Sequence, residues 1–85
     1  MERITLFADI LLPLPVAGTF TYRIPYDLNE DVVIGQRVAV QFGKRRVLSG
    51  LIKKIHQDVP TGHIPKYMLS ILDQEPLVLP IQFEF

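Results

Sequence analysis

The sequence predicts an all-β fold, a small barrel-like sheet of about five to six short strands. Apolar and polar residues alternate over short stretches, Gly and Pro separate those stretches, and no segment keeps a convincing helical period. The chain has 85 residues, the length of one compact domain with a small core. We therefore expect residues 1–76 to form a single β domain.

The first two predicted strands show period-two alternation most clearly. In residues 4–10 the apolar side chains occupy the even positions, and the prolines that follow end the strand because Pro cannot donate to a sheet. In residues 19–24, Phe20 and Tyr22 share one face while Thr21 lies on the other. Both segments therefore present one apolar face to a core.

Three further strands complete the predicted sheet. The third lies within residues 32–42, where Gly35 interrupts the apolar run, and the fourth covers residues 47–55. Gly50, inside the fourth strand, predicts either a bulge or a close approach of another backbone. Residues 67–73 predict a fifth strand, with a short helix as the alternative.

The last segment, 77–85, is strongly apolar and ends on phenylalanine, a residue that a domain seldom leaves exposed at its end. We expect it to begin a linker or docking segment towards further domains of a longer protein, with a helix starting there. The alternative is a strand or short helix that closes the core of the same domain.

Charge is unevenly distributed along a chain whose formal net charge is zero. Residues 1–36 carry a net −3, residues 37–66 a net +6 and residues 67–85 a net −3. The basic middle third indicates either an anionic partner or lysines and arginines that solvate the outer face of a sheet.

Composition excludes several classes of function. The chain has no Cys, which rules out disulfide scaffolds, cysteine zinc sites and thiol catalysis in this stretch. No apolar run reaches the roughly 18 residues of a membrane span, and no signal peptide is visible, so we expect a cytoplasmic protein. His56 and His63 lack metal-ligand spacing, and no nucleophile motif or phosphate loop is present. We predict neither a catalytic nor a metal site.

A binding interpretation remains, centred on residues 40–50, VQFGKRRVLSG. Aromatic side chains beside cations are the combination that binds single-stranded nucleic acid, through base stacking and phosphate contacts. The candidate rings are Phe20, Tyr22, Tyr26 and Phe42, and plain core packing is the alternative for the two phenylalanines. Gly43 is either the left-handed residue of a turn or a bare backbone that lets a ligand approach. The cations are Lys44, Arg45, Arg46 and Lys66.

Several motifs in order resemble one family. Four segments of the chain resemble the N-terminal 3′-DNA-end-binding domain of the PriA family of replication-restart helicases (primosomal protein N′). In chain order they are LPLPVAGTFTYRIP, VVIGQRVAVQFGKR, SGLIKKI and KYMLSILDQEP. The resemblance covers the chain from about residue 4 to residue 76, and the order and spacing of the motifs are its specific part. It implies a strand-rich DNA-binding domain.

The resemblance also implies a site for a DNA 3′ end. The family's Phe-x-Tyr falls on Phe20, Thr21 and Tyr22, its Phe-Gly-Lys places the pocket glycine at Gly43, and its pocket lysine falls on Lys66. Some members carry an aspartate that contacts the terminal base where this chain has Thr21, whose hydroxyl is shorter and uncharged. Auxiliary phosphate contacts are expected from Lys44, Arg45 and Arg46.

The implied function is sequence-independent recognition of the 3′ end of the nascent leading strand at stalled replication forks. The fragment would need no cofactor, whereas the full-length protein would be an ATP-dependent 3′–5′ DNA helicase with Mg and Zn. Its expected partners are single-stranded 3′ ends, forked DNA, other primosome proteins and single-stranded DNA-binding protein, in a nucleoid-associated cytoplasmic location without a membrane. The alternatives are a protein-interaction β-barrel that docks a helicase core or primosome component, and an RNA-binding barrel.

Overall fold

A computed structural model describes residues 4–73 of the chain. These residues form five strands and, after the second strand, one 3-10 turn at Tyr26–Leu28. The all-β prediction is confirmed. The strands are Leu6–Leu11 (β1), Phe20–Ile24 (β2), Arg37–Phe42 (β3), Arg46–His56 (β4) and Met68–Ile71 (β5).

The strands form one antiparallel sheet in the order β2-β1-β4-β3-β5. The sheet curls into a half-barrel, which brings its two outer strands close together. Arg23 of β2 forms an isolated parallel bridge with Tyr67, just before β5. The Arg23 backbone N–H also donates to the carbonyl of Lys66 at 2.8 Å. We call this junction of β2 with residues 66–67 the seam.

Predicted and observed strands agree in number and order, and the largest difference is at the start of β3. Residues 32–36 form a turn in which Gly35 has a positive φ of 99°. The side chain of Gln36 is buried, accepts from the Val33 backbone N–H at 2.7 Å and donates to the Asp31 carbonyl at 3.1 Å. The Gly35 N–H donates to the Ile52 carbonyl of β4 at 2.9 Å, and the Ile52 N–H donates to the Gln36 carbonyl at 3.0 Å, so this turn is attached to the sheet although β3 itself begins at Arg37.

One face of every strand supplies the core, as the period-two alternation predicts. The even-numbered residues of β1, β2 and β3 point inwards, and Ile52 of β4 and Met68 of β5 complete the interior. The buried cluster consists of Ala8, Ile10, Leu12, Tyr22, Ile24, Val38, Val40, Ile52 and Met68. Burying branched aliphatic side chains at about 25 cal/mol per Å² is the main favourable contribution to folding.

Gly50 marks a close approach between β4 and β1. A Cβ added there would lie 2.5 Å from Ile10 Cγ2 and 2.7 Å from the Leu11 carbonyl oxygen, so no larger residue fits. The bulge lies nearby at Lys53, because Asp9 pairs with Lys54 whereas Ile10 pairs with Ile52. Of the two predicted roles of Gly50, close approach is therefore the correct one.

Residues 74–85 lie outside the described part of the chain, and so does the predicted docking segment 77–85. Both that segment and the domain boundary at residue 76 stay predictions. Between residues 4 and 73, no helix has the length and apolar character needed to cross a membrane. Over the same range, no group of three or more His, Asp or Glu residues could hold a metal ion.

Candidate functional site

A groove opens where the start of β2 meets the end of β3 and the segment just before β5. Its volume is about 230 Å³. We call it the end groove. It is lined by Phe20, Tyr22, Gln41, Phe42, Gly43 and residues 63–66. Three parts of the chain that are distant in sequence therefore share one small concave surface.

Aromatic residues form the base of the end groove. Tyr22 is buried, and its hydroxyl donates to the carbonyl of Gln41 at 2.9 Å. Burial raises the pKa of the Tyr22 phenol, so the hydroxyl stays protonated and able to donate. Phe20 and Phe42 meet edge to face, with ring centroids 5.4 Å apart and an interplanar angle of 84°. Both rings are half-buried against the core, so part of each remains open to the groove.

Core packing and groove lining are therefore combined in Phe20 and Phe42. The two alternatives that the sequence leaves open are not exclusive here. An edge-to-face pair holds each ring in one orientation and adds about 0.5–1.5 kcal/mol beyond the area that the rings bury. The groove consequently has a rigid aromatic base.

Lys66 and Gly43 meet across the end groove. The Lys66 ammonium donates to the Gly43 carbonyl at 2.9 Å. An ammonium has three donors, so two remain for a ligand or water. Gly43 has a positive φ of 69°, which a turn residue without a Cβ adopts at no steric cost. A Cβ added to Gly43 would meet no atom within 4 Å and would point into open space.

The cations that follow Gly43 lie at the tip of the β3–β4 hairpin. Phe42 pairs with Arg46, so Gly43, Lys44 and Arg45 form the connecting turn. Lys44, Arg45 and Arg46 are all exposed. They follow Gly43, which lines the groove, but are not themselves among the lining residues.

Thr21 lies on the opposite face of β2, away from the end groove. Its hydroxyl donates to Asp9 Oδ1 at 2.7 Å, and His56 Nε2 lies 2.9 Å from the same oxygen. Burial raises the pKa of Asp9, but hydrogen bonds from His56 and Thr21 outweigh this effect and hold the pKa below its ordinary value. The structure thus brings together Phe20, Tyr22, Gly43 and Lys66 and sets Thr21 apart, and whether Thr21 contacts DNA stays a prediction.

Sequence reasoning missed several residues that line the end groove. Residues 63–65 enter it from a loop, and Ile64 is 93% exposed there. Nothing in the periodicity of His63, Ile64 and Pro65 indicates a role, and only their position just before Lys66 could have pointed to them. Gln41 lines the groove as well, and its side-chain amide donates to the Lys44 carbonyl at 3.3 Å, which helps to hold the turn.

A larger recess of about 430 Å³ lies between the 3-10 turn and β5. Asp27, Asp31 and Asp73 line it, so its charge is unsuited to a phosphate. Asp73 forms an ion pair with Arg37 at 3.1 Å, and the hydrogen bonds from Arg37 hold the pKa of the Asp73 carboxyl below its ordinary value. The smaller end groove, beside the basic hairpin tip, is the better candidate for an anionic ligand.

Comparison with known protein families gives one match. The family model of the PriA 3′ DNA-binding domain (3′BD) matches residues 9–85, most of the chain. A search of curated proteins gives no match. The family match supports DNA binding by this domain. With a family match of this extent and a half-barrel of the predicted kind, the chain belongs to the family of PriA 3′ DNA-binding domains.

Proposed function

We propose that this domain binds the 3′ end of the nascent leading strand at stalled replication forks, without reading base sequence. The observation that carries the proposal is the contact between the Lys66 ammonium and the Gly43 carbonyl, in the groove that Phe20 and Phe42 also line. A charged donor, a bare backbone and aromatic faces are the groups that a terminal nucleotide needs. Fork stalling has no preferred sequence, so recognition has to depend on sugar, phosphate and stacking.

The size of the end groove supports recognition of one terminal nucleotide. Its volume of about 230 Å³ is below the roughly 300–1,000 Å³ typical of ligand pockets. The two remaining donors of Lys66 reach for the terminal sugar hydroxyl or the last phosphate. A continuing strand places a phosphate where a free hydroxyl would fit, and this clash disfavours internal nucleotides.

Auxiliary affinity comes from the hairpin tip in this proposal. Lys44, Arg45 and Arg46 are exposed beside the groove and attract the backbone of an approaching strand. Each exposed cation contributes a salt-dependent attraction without sequence preference. Thr21 would contact the terminal base only if its hydroxyl left Asp9.

The wider role is that of the full-length protein. There the domain would work beside an ATP-dependent 3′–5′ helicase that uses ATP and Mg and holds structural Zn, in a nucleoid-associated cytoplasmic location. Forked DNA, other primosome proteins and single-stranded DNA-binding protein would be its partners. One small groove gives weak affinity, and linkage to further DNA contacts would raise it through effective concentration.

The test is fluorescence anisotropy of the 85-residue chain at low salt, with short 5′-labelled single strands that end in a 3′-hydroxyl or a 3′-phosphate. We expect clear preference for the 3′-hydroxyl, and the same preference on strands of different sequence. Equal affinity for the two ends contradicts the terminal-nucleotide proposal. A ribonucleotide at the 3′ end tests the RNA-binding alternative, which requires tighter binding to a 2′-hydroxyl.

A protein-docking role is the second candidate, because two apolar side chains at β5 are exposed. Leu69 of β5 is 49% exposed, and Leu72, just after the strand, is 46% exposed. A partner that covers this surface would bury apolar area now in contact with water. The substitutions Leu69→Ser and Leu72→Ser should abolish binding to such a partner and leave 3′-end preference intact.

A further inference from the structure

A second aromatic site lies on the outer side of the seam. It is a recess of about 410 Å³ lined by Pro25, Tyr26, Asp27 and Tyr67. We call it the seam recess. The residues of the end groove do not line it. Its two tyrosines and the arginine between them are the groups that single-stranded nucleic acid uses for stacking.

Arg23 joins the two tyrosines of the seam recess. Its guanidinium carbon lies 5.1 Å from the Tyr67 ring centroid and 5.4 Å from that of Tyr26. One terminal nitrogen donates to the Tyr26 hydroxyl at 2.9 Å. Arg23 Nε is buried and has no hydrogen-bond partner in the described part of the chain. The guanidinium is thus held in place mainly by aromatic faces.

Tyr67 offers an open ring face. An aromatic ring has two faces, and Arg23 occupies one of those of Tyr67. The residue is nevertheless 49% exposed, so about half of its surface is open to a ligand. The ring is therefore positioned from behind by a cation and open in front, as a stacking platform requires.

The seam recess adjoins the end groove across a single peptide. Lys66 and Tyr22 line the end groove. The residues that follow them in the chain are Tyr67, which lines the seam recess, and Arg23, which contacts the Tyr67 ring. The bond from the Arg23 N–H to the Lys66 carbonyl holds the two segments together. Successive residues of an extended segment point to opposite sides, so Lys66 faces the end groove and Tyr67 faces the seam recess. A nucleotide step that joins the two sites therefore has its two bases splayed apart across the seam and not stacked on each other.

We propose that Tyr67 stacks the base of the penultimate nucleotide of a DNA strand whose 3′-terminal nucleotide occupies the end groove. This inference rests on the proposed function, because the strand enters the recess from that groove. Arg23 supports the ring from behind and adds positive charge near the phosphate that joins the two nucleotides. The domain then recognises the last two nucleotides of a 3′ end, with the two bases on opposite sides of the seam.

Charge in the seam recess decides which part of the nucleotide enters it. Asp27 lines the recess and repels a phosphate, so the base enters and the phosphate stays on the Lys66 side. Any base has a π-face, so stacking on Tyr67 preserves sequence independence.

The first experiment varies the DNA and leaves the protein unchanged. Short 5′-labelled strands with a free 3′-hydroxyl carry one abasic residue at the second, third or fourth position from the 3′ end, and anisotropy reports the affinity. We expect an abasic residue at the second position to lower affinity about 5- to 150-fold, the equivalent of one stacked base, and an abasic residue at the third or fourth position to lower it much less. Equal cost at all three positions, or no cost at the second, overturns the inference.

The second experiment tests Tyr67 with a thermodynamic cycle. Tyr67→Ala should lower affinity for the intact strand by the same factor as the abasic residue, and the two changes combined should cost no more than either alone. Tyr67→Phe keeps the ring and should keep the affinity. Leu69→Ala is the matched control, because Leu69 is equally exposed at 49% and lies two residues along the chain. Thermal unfolding by circular dichroism checks that each variant folds.

The outcomes separate the two proposals. Loss of 3′-hydroxyl preference with a retained Tyr67 dependence overturns the terminal-nucleotide proposal and leaves a stacking site for strands in general. A retained 3′-hydroxyl preference with additive effects of Tyr67→Ala and the abasic residue overturns the second site alone.

Discussion

The two faces of β2 are held in different ways. On the inner face, Phe20 and Tyr22 are fixed by apolar packing and by one hydrogen bond to the Gln41 carbonyl. On the outer face, Thr21 hydrogen-bonds to Asp9, and Arg23 packs between two tyrosines. The inner face therefore depends on burial and is insensitive to pH and salt, whereas the outer face depends on charged and polar groups. A single strand thus contributes to a rigid groove and to a more polar outer surface.

The largest expected effect tests the inner face. Tyr22→Ala should lower the free energy of unfolding by about 3–5 kcal/mol, because it removes a buried ring and leaves a cavity. Tyr22→Phe should cost only about 1 kcal/mol, the usual net value of one hydrogen bond, here that to Gln41. Urea unfolding measures both.

Thr21, the neighbour of Tyr22 on the outer face of β2, provides the comparison for the stability cost of the Tyr22 variants. Thr21→Val keeps the size of the side chain and removes only its bond to Asp9, so its cost should also be about 1 kcal/mol. If Tyr22→Ala cost no more than Thr21→Val, the distinction between a packed inner face and a polar outer face would be wrong.

The next effect concerns the charged donor of the end groove. Lys66→Ala should weaken binding to a free 3′-hydroxyl strand by about 10- to 150-fold, the range for a lost hydrogen bond to a charged group. The variant should unfold like the wild type, because Lys66 is exposed. Lys53→Ala removes an exposed cation from the bulge of β4, far along the sheet, and should lower affinity only slightly. A similar loss in both variants would indicate that charge alone, and not the groove, binds DNA.

Gly43 allows a test in which backbone strain and ligand contact can be separated. Gly43→Ala should cost about 1–2 kcal/mol of stability, because its φ of 69° disfavours a Cβ. It should also weaken binding to the 3′ end, since Gly43 lines the end groove and the methyl adds bulk at the ligand site that we propose.

The control for that test is Gly18→Ala. Gly18 has a φ of 96° and equally open surroundings, but it does not line the groove. This variant should lose comparable stability and keep the wild-type affinity for DNA. Equal loss of binding in the two variants would show that strain, and not ligand contact, explains the effect of Gly43→Ala.

The smallest effect is the acid sensitivity of the outer face. Although burial raises the pKa of Asp9, hydrogen bonds from His56 and Thr21 lower it below the ordinary value of 3.8. This contribution to stability is therefore complete above the pKa of the unfolded chain and is lost as the pH falls through the pKa of the folded state. We expect it to be at most about 1 kcal/mol, because the pair is only part-buried.

Asp9→Asn tests this expectation in urea unfolding at a series of pH values. The variant should have a flatter pH profile below pH 4 than the wild type. The pKa of Asp73, which pairs with Arg37, is lowered as well, so Asp73→Asn measures the separate contribution of that ion pair to the pH dependence of stability. An unchanged profile in Asp9→Asn would show that the outer face does not respond to acid.

Sequence reasoning predicted most of the sheet, because strand periodicity is a local property. Alternation of side chains within β2 placed Phe20 and Tyr22 on one face and Thr21 on the other. The turn role of Gly43 also follows locally, since FGKR lies between two apolar strands. The end of β5 at Ile71 and the late start of β3 at Arg37 were less predictable, because strand ends depend on pairing with neighbouring strands.

The candidate site was only partly predictable for the same reason. The resemblance named Phe20, Tyr22, Gly43 and Lys66, but it also named Thr21, which strand alternation places on the opposite face of β2, where its hydroxyl donates to Asp9. Ile64 carries no signal in sequence, although it lines the end groove. Loops acquire such roles through the parts of the fold beside which they lie.

The amino-acid pattern alone determines that the chain is a small β domain with a basic hairpin tip and an apolar inner face. These features depend on steric preferences and hydrophobic period within a few neighbouring residues. Only the tertiary structure decides that Lys66 reaches Gly43 and that Tyr67 covers Arg23. Those contacts join residues more than twenty positions apart, and they exist because the sheet curls until its outer strands meet at the seam.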